Sequence, residues 1–247
     1  MVNFWRLVDE VIDDSDIVLM VIDARHIEQT NNTEIVRKVA SANKTLITVI
    51  NKADLVDKSL LEKYKRKLHP CTFVSAQKFY GITMLRHMIL RFADVTPVVV
   101  GVVGYPNTGK SSVINALKGK ASAGVSSVSG YTVGKQNIRV DNKIRVIDTP
   151  GVIAGGDDTQ SIKLKISASM NVKKDHDLAV YELFKAYRKP IAKFYKLDEE
   201  ESNSMDEVEL LEAIAIKLNR LIKGGEPDIL TTAKRILNDW QKGRIVV

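Results

Sequence analysis

A glycine-rich segment in the middle of the chain contains the residues best suited to phosphate chemistry. Gly104–Ser111 reads G-Y-P-N-T-G-K-S; it follows the apolar run Val98–Gly104 and precedes a stretch with helical periodicity. A strand, a glycine-rich turn and a helix in this order predict a loop whose backbone N–H groups surround phosphates. Within it, Lys110 would supply a cation and Ser111 a hydroxyl ligand to Mg²⁺. The predicted nucleotide contacts in this loop are Asn107, Thr108, Gly109, Lys110, Ser111 and Ser112.

An acidic residue further along the chain belongs to the same phosphate site. Asp148 ends the predicted strand Lys143–Asp148, and Gly151 follows it in the sequence D-T-P-G. A carboxylate at the end of a neighbouring strand is placed to reach Mg²⁺ through water. The backbone N–H of Gly151 would then approach a γ-phosphate.

Between these two motifs lies a Ser/Gly-rich stretch, Ser122–Gly134, which contains Thr132. A threonine hydroxyl in such a segment can close on Mg²⁺ and the γ-phosphate when nucleotide is bound. We predict this role for Thr132, for which neighbouring hydroxyls compete, those of Ser126, Ser127 and Ser129. The predicted catalytic contacts are thus Lys110, Thr132 and Gly151, and the predicted metal ligands are Ser111, Thr132 and Asp148.

The sequence N-K-A-D, Asn51–Asp54, closes an apolar strand and predicts a site for a base. The Asp54 carboxylate can accept hydrogen bonds from both N1–H and the 2-amino group of guanine, whereas adenine offers no such pair of donors. Asn51 and Lys52 can tether neighbouring loops and line the base. At the end of the next short strand, Ser75-Ala76 would present a backbone N–H to guanine O6.

Alternating strand and helix patterns must position these residues. Short β-branched runs predict strands at Asp16–Asp23, Thr45–Asn51, Thr72–Ser75, Val98–Gly104, Gln136–Val140 and Lys143–Asp148. The first four are nearly continuous apolar runs, which is typical of central strands covered on both faces. The last two are separated by Asp141-Asn142 and predict an antiparallel hairpin. With helical patterns near 30–42, 58–68 and 81–92, the first part of the chain is predicted to be an α/β sheet protein.

After residue 151 the patterning changes to polar and then helical. From about residue 175 onward apolar residues recur at helical spacing, and the acidic run Asp198–Asp206 is typical of a linker or a helix-capping segment. We therefore predict two domains, an α/β nucleotide domain over 1–160 and an all-helical domain over 175–247.

The order of the motifs is the reverse of the usual one, because the guanine motifs precede the phosphate motifs. The sequence resembles the YlqF/YawG family of circularly permuted GTPases, with motif order four, five, one, two, three. Asp23-Ala24-Arg25 resembles the D-A-R signature of that family, and Lys223–Asp228 resembles its C-terminal K-G-G-E-P-D turn. The sequence departs from the family pattern at Ile27 and Ser129, where the family commonly has proline. The resemblance implies a P-loop GTPase fold with a C-terminal helical domain, and it covers nearly the whole chain.

The resemblance also implies how the reaction proceeds. Many GTPases orient the attacking water with a glutamine after the D-x-x-G glycine, but that position is Val152 here, as in the family. We therefore expect slow intrinsic, Mg²⁺-dependent hydrolysis of GTP to GDP, with the missing group supplied by a partner, another loop or a monovalent cation. Asn107 matches the position that coordinates K⁺ in similar GTPases, so we expect stimulation by K⁺ or by a ribosomal particle.

The expected partner follows from the resemblance and agrees with the charge. Family membership implies a switch in large ribosomal subunit assembly that binds the subunit or its precursor and rRNA. The chain has 37 Lys and Arg against 30 Asp and Glu, a net charge of +7 that favours a polyanionic partner. Basic residues surround the Gly224-Gly225 turn, and Lys63–Lys67 form a second basic cluster on a helix pattern. Whether that second cluster is a solvated helix face or a nucleic-acid contact remains open.

Composition excludes several classes of protein. No run of 18 apolar residues occurs, the N-terminus lacks an apolar signal core, and the single cysteine, Cys71, cannot form an internal disulfide. We accordingly expect a cytoplasmic, monomeric protein without a membrane partner. The alternative function is a guanine-nucleotide-gated protein-binding module without an RNA role, and Asp54 argues against a third possibility, an ATPase.

Overall fold

The computed structural model describes residues 4–119, 136–148 and 176–246. Over the whole chain, residues group into two compact units, Met1–Gly156 and Asp157–Val247. The first unit contains, in chain order, α1 (Phe4–Asp13), β1 (Ile17–Asp23), α2 (Ile27–Thr30), α3 (Thr33–Ser41), β2 (Thr45–Asn51), α4 (Lys58–Lys67), β3 (Cys71–Phe73), α5 (Ile82–Arg91), β4 (Val98–Val103), α6 (Lys110–Leu117), β5 (Gln136–Arg139) and β6 (Ile144–Asp148).

The described strands form a six-stranded sheet in the order β3-β2-β1-β4-β6-β5. All neighbouring pairs are parallel except β5 and β6, which form the predicted antiparallel hairpin. From β1 the chain moves outward through β2 and β3, and from β4 it moves toward the opposite edge. The strand order therefore reverses between β1 and β4, which is where ligands bind in open α/β sheets, beyond the carboxyl ends of the strands.

Successive residues of each strand point to opposite faces of the sheet. On one face, Leu19 and Val49 pack in a core with Leu85 of α5 and Val113 of α6. On the other face, residues such as Met20 pack against helices α1, α3 and α4. This period of two, combined with helices on both faces, explains why the central strands read as continuous apolar runs.

One strand does not have its predicted place. Cys71–Phe73 lies at the edge of the described sheet and pairs only with β2 there, so it is not a central strand as its apolar run suggested. It is also short, because Ser75 leaves the ladder and exchanges hydrogen bonds with Tyr80 instead. Short edge strands are a common way to limit pairing with other chains.

The second unit is helical in its described part, with α7 (His176–Phe194), α8 (Glu199–Ser204), α9 (Glu207–Lys217) and α10 (Ile229–Gln241). Its own core contains Phe184, Leu211 and Ile236, all fully buried. Helix α7 bends at Tyr187, three residues before Pro190, because proline clashes with the preceding turn. Among the described helices of the whole chain, none is both long and apolar enough to cross a bilayer.

The acidic run 198–206 caps helices, which is one of the two predicted alternatives. Asp198 caps the N-terminus of α8, with its carboxylate accepting from the N–H groups of Glu200 and Glu201. Asp206 then caps α9 in a reciprocal capping box with Glu209. Carboxylates at helix N-termini accept hydrogen bonds from the free N–H groups and interact favourably with the positive end of the helix dipole.

Candidate functional site

The predicted phosphate and base motifs converge at one edge of the sheet. Asp23, Asn51 and Asp148 are the last residues of β1, β2 and β6, and Gly104 follows the last residue of β4. Because these four strands are parallel neighbours, their carboxyl ends open to the same side. The reversal of strand order between β1 and β4 places the loop predicted to read the base next to the loop predicted to bind phosphate.

Backbone conformations available mainly to glycine shape the phosphate loop. Gly104 has φ of +141°, and a Cβ there would lie 2.4 Å from the Val21 carbonyl oxygen. Gly109, at the N-cap of α6, has φ of +94°, and its Cβ would lie 2.2 Å from Nδ2 of Asn51. Asn107 also has a positive φ, 62°, a conformation that asparagine tolerates better than most residues. The loop therefore turns tightly into the N-terminus of α6.

Lys110 is held inside this loop. Its ammonium group is buried and donates to the carbonyl oxygens of Gly104 at 3.2 Å and Tyr105 at 3.1 Å. Burial lowers the pKa of Lys110 to about 8, partly opposed by the negative charge of Asp148. Thr108 is buried as well, with its hydroxyl donating to the Tyr105 carbonyl at 3.0 Å. The loop is thus a preformed ring around a cationic centre, a geometry suited to phosphate.

The predicted metal ligands that the structure describes lie together. Oγ of Ser111 donates to Oδ2 of Asp148 at 3.3 Å, at the carboxyl end of β6. A hydroxyl and a carboxylate are oxygen ligands of the kind that Mg²⁺ accepts alongside water and phosphate oxygens. The described residues hold no cluster of three or more His, Cys, Asp or Glu that could hold a metal ion. Residues Ser111 and Ser112 are exposed; Thr132, Gly151 and Val152 lie outside the described residues.

Asn51 joins the base-reading and phosphate-binding loops. Its Nδ2 donates to the Thr108 carbonyl at 2.9 Å, and its Oδ1 accepts from the Ala76 N–H at 3.2 Å. The side chain is almost fully buried, and its partners come from three different segments of the chain. This tether fixes the loops relative to each other, as the sequence led us to expect of Asn51.

Asp54 lies at the base side of the same edge. Its carboxylate is 3.2 Å from Nζ of Lys78. Burial opposes ionisation of Asp54, but hydrogen bonds from Ser75 and Lys78 outweigh this effect and lower its pKa. Asp54 is therefore an anion at neutral pH, the form that accepts hydrogen bonds from a guanine base.

Lys52 is held in place by two buried charged residues, Asp23 and Arg25. The sequence did not indicate that either residue belongs to the site. The Lys52 ammonium donates to Oδ2 of Asp23 at 2.7 Å and to the Asn107 carbonyl at 2.8 Å. The guanidinium of Arg25 donates to the same Asp23 carboxylate at 2.8 Å. Burial opposes ionisation of Asp23, but the charges of Lys52 and Arg25 hold its pKa well below the usual range. The D-A-R signature was the available signal, and its role emerges only in three dimensions.

A hydrogen bond between Asn32 and Tyr105, which the sequence did not indicate, also supports the phosphate loop. The hydroxyl of Tyr105 is buried and accepts a hydrogen bond from Nδ2 of Asn32 at 3.2 Å. Asn32 also caps α3, with its Oδ1 accepting from the N–H groups of Glu34 and Ile35. A helix cap and the phosphate loop therefore share one side chain, although 73 positions separate the two residues.

Comparison with known proteins identifies the family. The sequence model of the RsgA GTPases matches residues 9–156, and that described as 50S ribosome-binding GTPase matches residues 99–216. The chain belongs to the RsgA GTPase family. That family is one of GTPases, which agrees with the predicted enzyme class. Because its base motifs precede its phosphate loop in the sequence, it is a circularly permuted member, as the resemblance to the YlqF/YawG group indicated.

Individual relatives agree with this assignment. The chain is 40% identical to an uncharacterized GTP-binding protein of Methanocaldococcus jannaschii, over 97% of this chain and 65% of the relative. It is 35% identical to nuclear/nucleolar GTPase 2 of Arabidopsis thaliana, over 98% of this chain and 44% of the relative. The GNP-bound crystal structure of YlqF from T. maritima superposes with a TM-score of 0.63 at 23% identity, covering 97% of this chain and 94% of that one. The chain thus has the predicted permuted P-loop GTPase fold with a C-terminal helical part. It spans between 41% and 65% of the length of three curated relatives that it matches.

Proposed function

We propose that this chain binds GTP at the edge formed by β1, β2, β4 and β6 and hydrolyses it as a molecular switch in assembly of the large ribosomal subunit. The observation that carries the proposal is the Asn51 tether, which joins the loop bearing Asp54 to the loop bearing Lys110. A ligand with a guanine base at one end and a phosphate chain at the other would use both loops at once.

The protein groups have distinct parts in the proposed reaction. Asp54 accepts from the guanine N1–H and 2-amino groups. The backbone N–H groups of Ser75 and Ala76, predicted to face O6, donate in this structure to Tyr80 and Asn51. Lys110 and the N–H groups of Asn107–Ser112 neutralise and orient the β- and γ-phosphates for in-line attack by water. Bound Mg²⁺, held by Ser111 and Asp148, would neutralise charge on the phosphate oxygens. Thr132 and Gly151 are proposed to contact the γ-phosphate, as their places in the motifs indicate.

The valine at position 152 supports slow intrinsic hydrolysis, because its side chain can neither donate nor accept a hydrogen bond. We propose that K⁺ near Asn107, or a group from the ribosomal particle, supplies the missing stabilisation. Hydrolysis rates in matched KCl and NaCl test the cation: a higher rate in KCl is expected, and equal rates would remove K⁺ from the mechanism. Asn107→Ala should abolish the difference between the two salts.

The ribosomal role is proposed from three features. One relative is named a nucleolar GTPase, and one matching family model is described as 50S ribosome-binding. The helical domain, residues 175–247, carries basic side chains near the Gly224-Gly225 turn that suit rRNA, among them Arg220, Lys223 and Lys234. We propose that the chain acts as a monomer in the cytoplasm.

Co-sedimentation with large ribosomal subunits tests this role. Binding should be strong with a non-hydrolysable GTP analogue, weaker with GDP, and reduced by raising the salt concentration, because phosphate contacts release counterions. If the chain sediments equally in both nucleotide states, or not at all, the switch role fails. Binding to a protein partner in the GTP state without any binding to subunits would support the alternative, a nucleotide-gated protein-binding module.

A further inference from the structure

One segment of the first unit combines positive charge with aromatic rings. Residues 58–80 contain six Lys or Arg side chains and a single acid, Glu62. The same segment contains four aromatic residues, Tyr64, Phe73, Phe79 and Tyr80. It comprises helix α4, edge strand β3 and the loop that follows, and we refer to residues 58–80 as the α4–β3 surface. Most of the charge excess of the whole chain lies in this short segment.

The cations and rings of the α4–β3 surface are interleaved. Nζ of Lys65 lies 5.5 Å from the ring centroid of Phe73, and Nζ of Lys67 lies 5.8 Å from that of Tyr64. The rings of Phe73 and Tyr80 are 6.3 Å apart and inclined by 22°. Contacts of this kind hold long lysine side chains against ring faces and direct their charges along the surface.

The loop after β3 presents two rings to solvent. The side chains of Phe79 and Tyr80 are 51% and 54% exposed. Phe79 has φ of +55°, which is rare for a bulky residue. The loop is nonetheless closed firmly, because Ser75 and Tyr80 exchange two backbone hydrogen bonds of 3.0 Å. The fold thus holds two large rings outward from a fixed loop.

We propose that the α4–β3 surface binds single-stranded RNA, with bases stacking on Phe79 and Tyr80 and phosphates contacting Lys65, Arg66 and Lys67. Exposed rings beside a row of cations match the chemistry of an unpaired strand, since every base has a face that stacks and every nucleotide carries a negative phosphate. A peptide added to the edge of β3 would use main-chain hydrogen bonds and would leave the basic helix without a role. The residues proposed to contact RNA are not among those predicted to bind the guanine nucleotide, and the proposal does not depend on a ribosomal role.

Fluorescence anisotropy with labelled oligouridine tests the proposal on the full chain. The double variant Phe79→Ala/Tyr80→Ala should weaken binding at least fivefold, because stacking on each ring is lost. The triple variant Lys65→Gln/Arg66→Gln/Lys67→Gln should weaken binding and reduce the slope of log affinity against log salt by about 2, as expected for about three lost phosphate contacts on a single strand. Both variants should retain the melting temperature and GTP hydrolysis rate of the parent chain.

Matched controls separate this surface from a general effect of charge. Arg6→Gln/Arg37→Gln/Lys185→Gln removes the same charge from scattered exposed positions and should leave the salt slope unchanged. If the alanine double variant does not fold, Phe79→Leu/Tyr80→Leu keeps the apolar bulk without the rings and should show the same loss of binding. Unchanged oligouridine binding in the ring variants, or equal slopes in the two charge variants, would overturn the proposal. Subunit co-sedimentation of the same proteins reports separately on the proposed function.

Discussion

At the scale of single residues, this site depends on charges and amides that each contact more than one loop. Asn51 contacts the phosphate loop and the loop after β3, and Lys52 contacts Asp23 and the phosphate loop. Motif spacing predicts which residue types are present at the strand ends. The partners that hold them are further away in the sequence, 29 positions for Asp23 and Lys52.

Asp54 should determine the preference for guanine. In Asp54→Asn the amide offers one acceptor and one donor group where the carboxylate offers two acceptors, so it no longer matches the two N–H donors of the base. We expect the ratio of GTP to ATP affinity to fall by tenfold or more, since each charge-assisted hydrogen bond contributes about 1.5–3 kcal/mol. Competition binding with both nucleotides measures this ratio. Unchanged selectivity would show that the base site lies elsewhere.

Asp23 should support both stability and nucleotide affinity. Asp23→Asn removes the buried carboxylate that Lys52 and Arg25 share, at a cost of about 3 kcal/mol in the free energy of unfolding. Because Lys52 would no longer be held against the Asn107 carbonyl, affinity for GDP should fall as well. Urea unfolding and binding of a fluorescent GDP measure the two effects. Arg6→Gln, which breaks an exposed ion pair with Glu10, is the control and should change neither.

The same carboxylate predicts a pH dependence. The pKa of Asp23 is lower in the folded chain than its usual value of 3.8. Its contribution to stability is therefore complete above about pH 5 and is lost progressively as the pH falls below that value. Between pH 4 and pH 3, unfolding experiments should show that Asp23→Asn loses stability less steeply than the parent chain. Parallel slopes would mean that Asp23 has the same pKa in the folded and unfolded states.

At the scale of elements, close packing of α1 on the sheet depends on a residue without a side chain. A Cβ at Gly101 in β4 would lie 2.8 Å from Cγ1 of Val11 and 2.9 Å from Oγ of Ser15. Val11 is fully buried, so neither atom can move into solvent without displacing the helix. A glycine in the interior of a strand here marks a close approach between a helix and a strand.

Gly101→Ala should therefore lower the free energy of unfolding by about 1–3 kcal/mol through overpacking. In the double variant Gly101→Ala/Val11→Ala the clash with Cγ1 is removed. The total cost should then be smaller than the sum of the two single costs, by about 1 kcal/mol. Chemical denaturation of the four proteins in this cycle measures the difference. Strict additivity would mean that α1 adjusts to the new methyl group without strain.

At the scale of the whole molecule, each of the two units has its own core and its own buried charges. In the helical unit Asp239 is fully buried and accepts hydrogen bonds from Tyr195 at 3.0 Å, Arg235 at 2.7 Å and Arg244 at 2.7 Å. This network joins the end of α7, the body of α10 and the segment after it. In the other unit, the buried Asp23 carboxylate likewise accepts hydrogen bonds from two cations, Lys52 and Arg25.

Asp239→Ala should destabilise the helical unit by about 3 kcal/mol, because it leaves the buried Tyr195 hydroxyl and two guanidinium groups without their acceptor. Affinity for GDP should stay within twofold of the parent value, since the nucleotide site belongs to the other unit. Thermal unfolding followed by circular dichroism and GDP titration measure the two properties. Glu182→Ala, which breaks an exposed ion pair with Lys185, is the control and should leave the melting temperature unchanged. A parallel loss of GDP binding in Asp239→Ala would mean that the units depend on each other for folding.

The sequence by itself determined the class of this protein, its predicted ligand and the permuted order of its motifs. A strand, a glycine-rich turn and a helix are local patterns, and so are the aspartates at strand ends and the change to helical periodicity near residue 175. Local patterns of this kind depend on neighbours within a few residues, so they can be interpreted without the fold. For the same reason the hairpin of β5 and β6 was correctly predicted from a two-residue spacing.

Only the tertiary structure decided which strands are neighbours and which side chains meet. The apolar run at β3 resembled a central strand, but its position at the edge follows from the order of pairing, which no local pattern specifies. The Asp23–Lys52 pair and the Asn32–Tyr105 hydrogen bond likewise join residues that are distant in the sequence. The strength of these two interactions depends on both partners being buried together. Burial is a property of the assembled sheet and helices, so no local pattern specifies it.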